Sequence, residues 1–110
     1  MRQFYTSVVE RREPFRGSFV TEPYEAGWAS EAIYFVSVDE PAEANLALDL
    51  RVQISVDGVE WIDEGSVLSR LGLEGRGFVR VTHFGGWLRL RGRAPEDHDV
   101  VLTVQLALKE

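Results

Sequence analysis

Arg80, Phe84, Trp87, Arg89 and Arg91 are the residues of this 110-residue chain whose type and spacing most invite chemistry. Trp87, Arg89 and Arg91 stand two apart, so an extended strand sends all three side chains to one face. Guanidinium groups take carboxylates bidentately, and aromatic rings beside them offer stacking surfaces. Gly85-Gly86 separates two strand-like runs, Gly77 to Phe84 and Trp87 to Arg93, and reads as a two-residue hairpin connection. Counting outward from that turn sets Phe84 opposite Trp87, Thr82 opposite Arg89 and Arg80 opposite Arg91 on an outward surface. Val81 opposite Leu90 and His83 opposite Leu88 then face inward. Like charges directly opposed destabilise a bare sheet, so the row calls for negative charge nearby. Acidic residues of a neighbouring strand would supply it, as surface charges commonly do. The sharper reading is a carboxylate-bearing partner, either a sugar acid or an acidic patch on another subunit.

A second aromatic group lies in the loop Glu22-Pro23-Tyr24-Glu25-Ala26-Gly27-Trp28. Loops on a rigid scaffold commonly carry binding residues, and Tyr24 and Trp28 could stack on sugar rings. The plainer role is to plug the open end of a sandwich, since large aromatics are generally well buried. Of the two histidines, His83 is expected to be a hydrogen-bonded core residue. His98 lies in the acidic turn Pro95-Glu96-Asp97-His98-Asp99, whose carboxylates could hold a hard cation. The ligand spacing of an EF-hand is absent, and a solvated turn is expected instead. Gly72, Gly75, Gly77 and Gly92 read as turn or bulge positions. There is no His-Glu-x-x-His, no Gly-x-Ser-x-Gly, no phosphate-cradling loop and no dinucleotide fingerprint, so neither catalysis nor a cofactor nor a metal is expected.

Composition narrows the partners further. The net charge of -6 argues against general attraction to nucleic acid or an anionic membrane. No cysteine is present, which removes disulfides and thiolate chemistry together. Positive charge is almost all arginine, Lys109 being the single lysine. The first residues lack the apolar stretch of a secretory signal, and no run is long enough to span a bilayer, so cytoplasmic synthesis is expected. At 45% hydrophobic residues, the chain can supply one core, and residues 1–110 are expected to form one domain.

These side chains must be positioned by strands. Leu46, Leu48, Leu50, Val52, Ile54 and Val56 alternate with Ala47, Asp49, Arg51, Gln53 and Ser55, the pattern of a strand with one buried face. Asp57-Gly58 follows and suits a type I′ turn, which would set Ile54 opposite Trp61 and turn Trp61 into the core. Val100, Leu102, Val104, Leu106 and Leu108 repeat the alternation near the C-terminus. Glu31 to Val38 is almost continuously apolar, as a central strand covered on both faces would be, while Phe4 to Val9 and Phe15 to Val20 predict shorter strands. Pro41 to Ala44 and Ser66 to Leu71 read as connections. About eight short strands without βαβ alternation predict an all-β antiparallel sandwich, jelly-roll-like, with little or no helix.

The stretch Val52-Gln53-Ile54-Ser55-Val56-Asp57-Gly58-Val59-Glu60-Trp61, followed by Trp87-Leu88-Arg89-Leu90-Arg91 and an alternating last strand, resembles small jelly-roll proteins of bacteriophage virions and prophage-like clusters. More distantly, its Asp-Gly-x-x-Trp hairpin is similar to that of discoidin-like carbohydrate-binding modules. The first resemblance implies an oligomeric capsid-decorating or tail-associated part, carried in a virion or other particle. The second implies a reader of sugars or lipid head groups. Together with the residues above, they lead to the expectation of a non-catalytic assembly protein, homo-oligomeric or part of a larger protein assembly. In that reading Phe84, Trp87, Arg89 and Arg91 contribute contacts, and the alternative is a carbohydrate-binding module using Tyr24, Trp28 or Trp87.

Overall fold

The computed structural model describes residues 3–40, 48–68 and 75–110, which form strands and loops and contain no helix. Nine strands follow in order: β1 (Phe4–Phe15), β2 (Ser18–Val20), β3 (Tyr24–Glu25), β4 (Glu31–Glu40), β5 (Asp49–Ser55), β6 (Ile62–Leu68), β7 (Arg76–Thr82), β8 (Trp87–Arg93) and β9 (Val100–Lys109). Their antiparallel pairs are nested: β1 with β9, β2 and β3 with β8, β4 with β7, and β5 with β6. The chain is thus a long ribbon folded back at the β5–β6 turn and then rolled. Rolling sets β4 against β9 and β5 against β8, completing two sheets of order β1-β9-β4-β7 and β2-β8-β5-β6. This is the jelly-roll sandwich that the alternating pattern predicts.

The core lies between the sheets. Val100, Leu102, Val104, Leu106 and Leu108 of β9 are fully buried against Leu50 and Val52 of β5 and Leu88 and Leu90 of β8, with Tyr34 and Val36 of β4 closing the layer. Each such Val or Leu contributes about 1.5–3 kcal/mol of hydrophobic stabilisation. Gly92 was expected at a turn or bulge, but it is paired on both sides within β8, near the strand's end and on its inner face. A Cβ there would lie inside contact distance of Phe19 and 2.6 Å from Leu50 Cδ2. Its missing side chain makes room for Phe19, which stacks on Phe15 at 4.2 Å between ring centres.

Rolling explains where the expected turns depart from the real ones. Only the innermost pair of a rolled ribbon can be a tight hairpin, so Gly85-Gly86 is a crossing between sheets and not a hairpin. β7 and β8 do not pair. At the crossing Gly85 passes so close to Ser55 that a Cβ would stand 2.9 Å from its carbonyl oxygen. His83 adopts a φ of 55° as the chain leaves β7, and is exposed rather than inward.

The β5–β6 turn differs too. Ser55 Oγ accepts the Gly58 N–H at 2.8 Å, and Asp57 Oδ1 accepts those of Val59 and Glu60 at 2.9 and 3.1 Å. These side-chain bonds support a wider loop than a two-residue turn. Ile54 consequently faces Ile62 rather than Trp61, and a one-residue slip moves Trp61 to the opposite face. Val56, expected in the buried row, is exposed.

Smaller departures concern the edges. The run Phe15 to Val20 is divided by Gly17 at a φ of 66° between strands of different sheets. β1 runs to Phe15 with irregular register between Val8 and Glu13, where Arg12 takes a φ of 46° and its N–H donates to Thr103 Oγ1 at 3.2 Å. Ser66 to Leu68 belongs to β6 rather than to a connection. β4 is central, but only one of its faces is covered, and Phe35 is exposed on the other. The expected connection at Pro41 to Ala44, together with Leu46, Leu71 and Gly72, lies outside the described residues.

Candidate functional site

The arginine row exists, but on different partners. Arg89 and Arg91 leave the outer face of β8 with Trp87 and Arg93, while Arg80 belongs to the other sheet, opposite Ile33 of β4. Beside β8, β5 contributes Arg51 directly opposite Arg91, and Gln53 directly opposite Arg89. Like charges so opposed need relief. Asp63 of β6 supplies part of it at 3.8 Å from Arg91 Nη1, and Asp49 another part at 3.4 Å from Arg51 Nε. These are the neighbouring-strand carboxylates that the plainer reading of the row requires. Arg93 has no ion pair among the described residues.

Gln53 organises the centre of this face. It is nearly buried; its Oε1 accepts from Arg89 Nε at 2.7 Å and its Nε2 donates to Asp63 Oδ1 at 2.9 Å. The Arg89 guanidinium is thereby held 4.3 Å over the Trp61 ring, a cation–π contact. Burial, and then the nearby Arg91, pushes the Arg89 pKa below its ordinary value. A shallow cleft of about 230 Å³ opens next to this network, lined by Ser18, Asp49, Arg51, Arg91, Gly92 and Arg93. The arrangement can receive an anion, though much of its positive charge is already answered from within.

The aromatic candidates separate. Phe84 does not face outward beside Trp87; it is partly buried against the core. Trp87 lies on the outer face of β8, where its ring packs on the Gly58 backbone closely enough that a Cβ at Gly58 would stand 3.0 Å from it. Tyr24 pairs with Leu88 through β3 and packs partly buried on the core, and that burial pushes its phenol pKa up. Trp28 remains 37% exposed. In the acidic turn, His98 Nδ1 lies 2.9 Å from Asp97 Oδ1, and Asp99 pairs with Arg16 at 2.9 Å. No metal-binding cluster occurs among the described residues.

The opposite sheet shows a surface that the sequence reading missed. On the outer face of β1-β9-β4-β7, Phe4, Ile33, Phe35, Phe78 and Ala107 form an apolar band. Phe35 and Phe78 are directly opposed, with ring centres 6.3 Å apart. Arg80 stands 5.3 Å from the Phe78 ring and Lys109 Nζ 5.8 Å from that of Phe4. Thr6, Ile33, Gln105, Ala107 and Lys109 line, with Phe4 and Phe35, a groove of about 430 Å³. The signal was present in the sequence: Ile33 and Phe35 alternate with Ala32, Tyr34 and Val36. An apolar run on both faces of a strand marks either double burial or an uncovered apolar face.

No protein-family model and no curated protein sequence matches this chain. Solved structures do match in shape. A pre-peptidase C-terminal domain of collagenase from Bacillus anthracis aligns at a TM-score of 0.55 and 8% identity, covering 96% of this chain and 89% of that one. The SPBc2 prophage-derived protein YomS aligns at 0.51 and 9%, covering 100% and 96%. A chain from the structure of infectious bursal disease virus, Gx strain, aligns at 0.59 and 13%; 98% of this chain matches 32% of that longer one. At such identities the likeness is one of β-sandwich fold.

Proposed function

We propose that this protein is a non-catalytic structural subunit that associates with copies of itself in a particle or other large assembly. The observation that carries the reading is the apolar band on the outer face of the β1-β9-β4-β7 sheet, where Phe4, Phe35 and Phe78 are all more than two-fifths exposed. Contiguous apolar surface of this kind, bordered by polar groups, marks sites of association. Aromatic side chains with arginine beside them are favoured at interface centres. The fold agrees with this role, since similar sandwiches come from a virus and from a prophage-derived protein. The carbohydrate alternative has weaker support: Trp87 packs on Gly58 and Tyr24 against the core, and of these candidate platforms Trp28 is the most exposed. Light scattering after size exclusion, across a range of concentrations, tests the reading. A mass rising above the 12.5 kDa of one chain is expected; a constant 12.5 kDa at every concentration overturns it.

A further inference from the structure

The turn between β5 and β6 is ordered by its own hydrogen bonds and yet exposes three aliphatic side chains. Asp57 and Ser55 hold the backbone and the Trp87 ring packs on Gly58, so the loop keeps its shape without burying its own aliphatic side chains. Val56, Val59 and Ile62 are 89%, 77% and 65% exposed. Asp57 and Glu60 lie among them, and the backbone N–H groups of Val59 and Glu60 hold the Asp57 carboxyl below its ordinary pKa. The tip is therefore apolar, preorganised and acidic.

The groove on the outer face of the β1-β9-β4-β7 sheet is its complement. It is apolar at Phe4, Ile33, Phe35 and Ala107, and carries Lys109, which Glu31 of β4 faces across the sheet, with the Arg80 guanidinium close by. Seating an acidic tip in this groove brings opposite charges to the rim and aliphatic groups onto phenylalanine. Resting on the self-association proposed above, we infer that the occupant of the groove is the Val56–Ile62 tip of a second copy of this chain. The contact joins two unlike surfaces, so it leaves each pair with a free tip and a free groove from which a ring or a filament can grow.

Complementation tests this directly. Val59→Arg disables the tip and Phe35→Glu disables the groove, each at an exposed position. Either variant alone is expected to sediment as a monomer, while an equimolar mixture gives a species of twice the monomer mass, because one intact tip meets one intact groove. Circular dichroism melts confirm that each is folded. Should Phe35→Glu fail to fold, Lys109→Glu replaces it, with Glu60→Lys as the tip variant; each alone is again expected to be a monomer, and the mixture is expected to associate beyond a pair, because the exchanged charges restore both contacts. A mixture that stays monomeric overturns the inference. So does wild-type association that survives both variants, and in that case self-association itself stands. A wild-type protein monomeric at every concentration overturns both.

Discussion

Tyr34 sits at the centre of β4 with its side chain wholly buried, and its hydroxyl has no hydrogen-bond partner among the described residues. A buried hydroxyl left unpaired loses its hydration without return, at a cost of about 1–3 kcal/mol. Tyr34→Phe removes that atom and keeps the ring that packs against the core. Taking the low end, the variant is expected to be more stable by about 1 kcal/mol, which raises Tm by about 4 °C in a domain of this size. A second readout comes from alkali. Burial pushes the Tyr34 pKa far above its ordinary 10.0, so the folded phenol stays neutral where an unfolded one ionises. The unfolded state thus loses the proton first, and wild-type stability falls as pH rises through about 10. The phenylalanine variant lacks that contribution, so its advantage over wild type should widen between about pH 9 and 11. Thermal melts followed by circular dichroism at neutral and alkaline pH measure both effects. A variant that melts below wild type would show that the hydroxyl is satisfied in the folded protein, and the reasoning would fail.

Two other substitutions probe the architecture. Gly92→Ala drives a methyl into Phe19 and Leu50, and overpacking of this kind is expected to cost about 1–3 kcal/mol; an unchanged Tm would show that the pocket around Phe19 has slack. Gln53→Leu removes the bridge between Arg89 and Asp63 while keeping much of the volume. A loss of about 1–3 kcal/mol is expected, with a shift in tryptophan emission as the Arg89 guanidinium leaves Trp61, and wild-type emission and melting would refute the bridging role.

What could be read from the sequence follows from how local each feature is. The final strand and the segment from Asp49 to Ser55 were legible because alternation is a property of one strand alone. Trp87, Arg89 and Arg91 were correctly set on one face for the same reason. Arg80 was misplaced because its neighbours depend on which sheet β7 joins, and Gly85-Gly86 suits a hairpin and a crossing equally well. Trp61 was turned the wrong way by a single residue of register, decided by the Ser55 and Asp57 side chains. Gln53 and Asp63 became visible as partners of the arginines only once β6, β5 and β8 lay side by side. The band of Phe4, Phe35 and Phe78 draws on three strands far apart in the chain, and no local pattern could assemble it.

The irregular borders of the two sheets limit how copies can join. An unpaired strand edge is a template on which another chain can add a strand, and proteins blunt such edges with bulges, prolines and charge. β1 presents register breaks, Arg11, Arg12 and Pro14 along its free side; β6 shifts register near Gly65, where φ is 115°; and β2 and β3 are short segments separated by Pro23. β7, the remaining edge, is flanked by Arg76 and Arg80 on its outer face. Strand addition between copies is therefore discouraged along each border, and with it the runaway polymerisation to which exposed β-edges lead. In the self-association proposed above, contacts between copies would fall instead to side chains on faces and loops, which can be released and remade without unravelling a sheet.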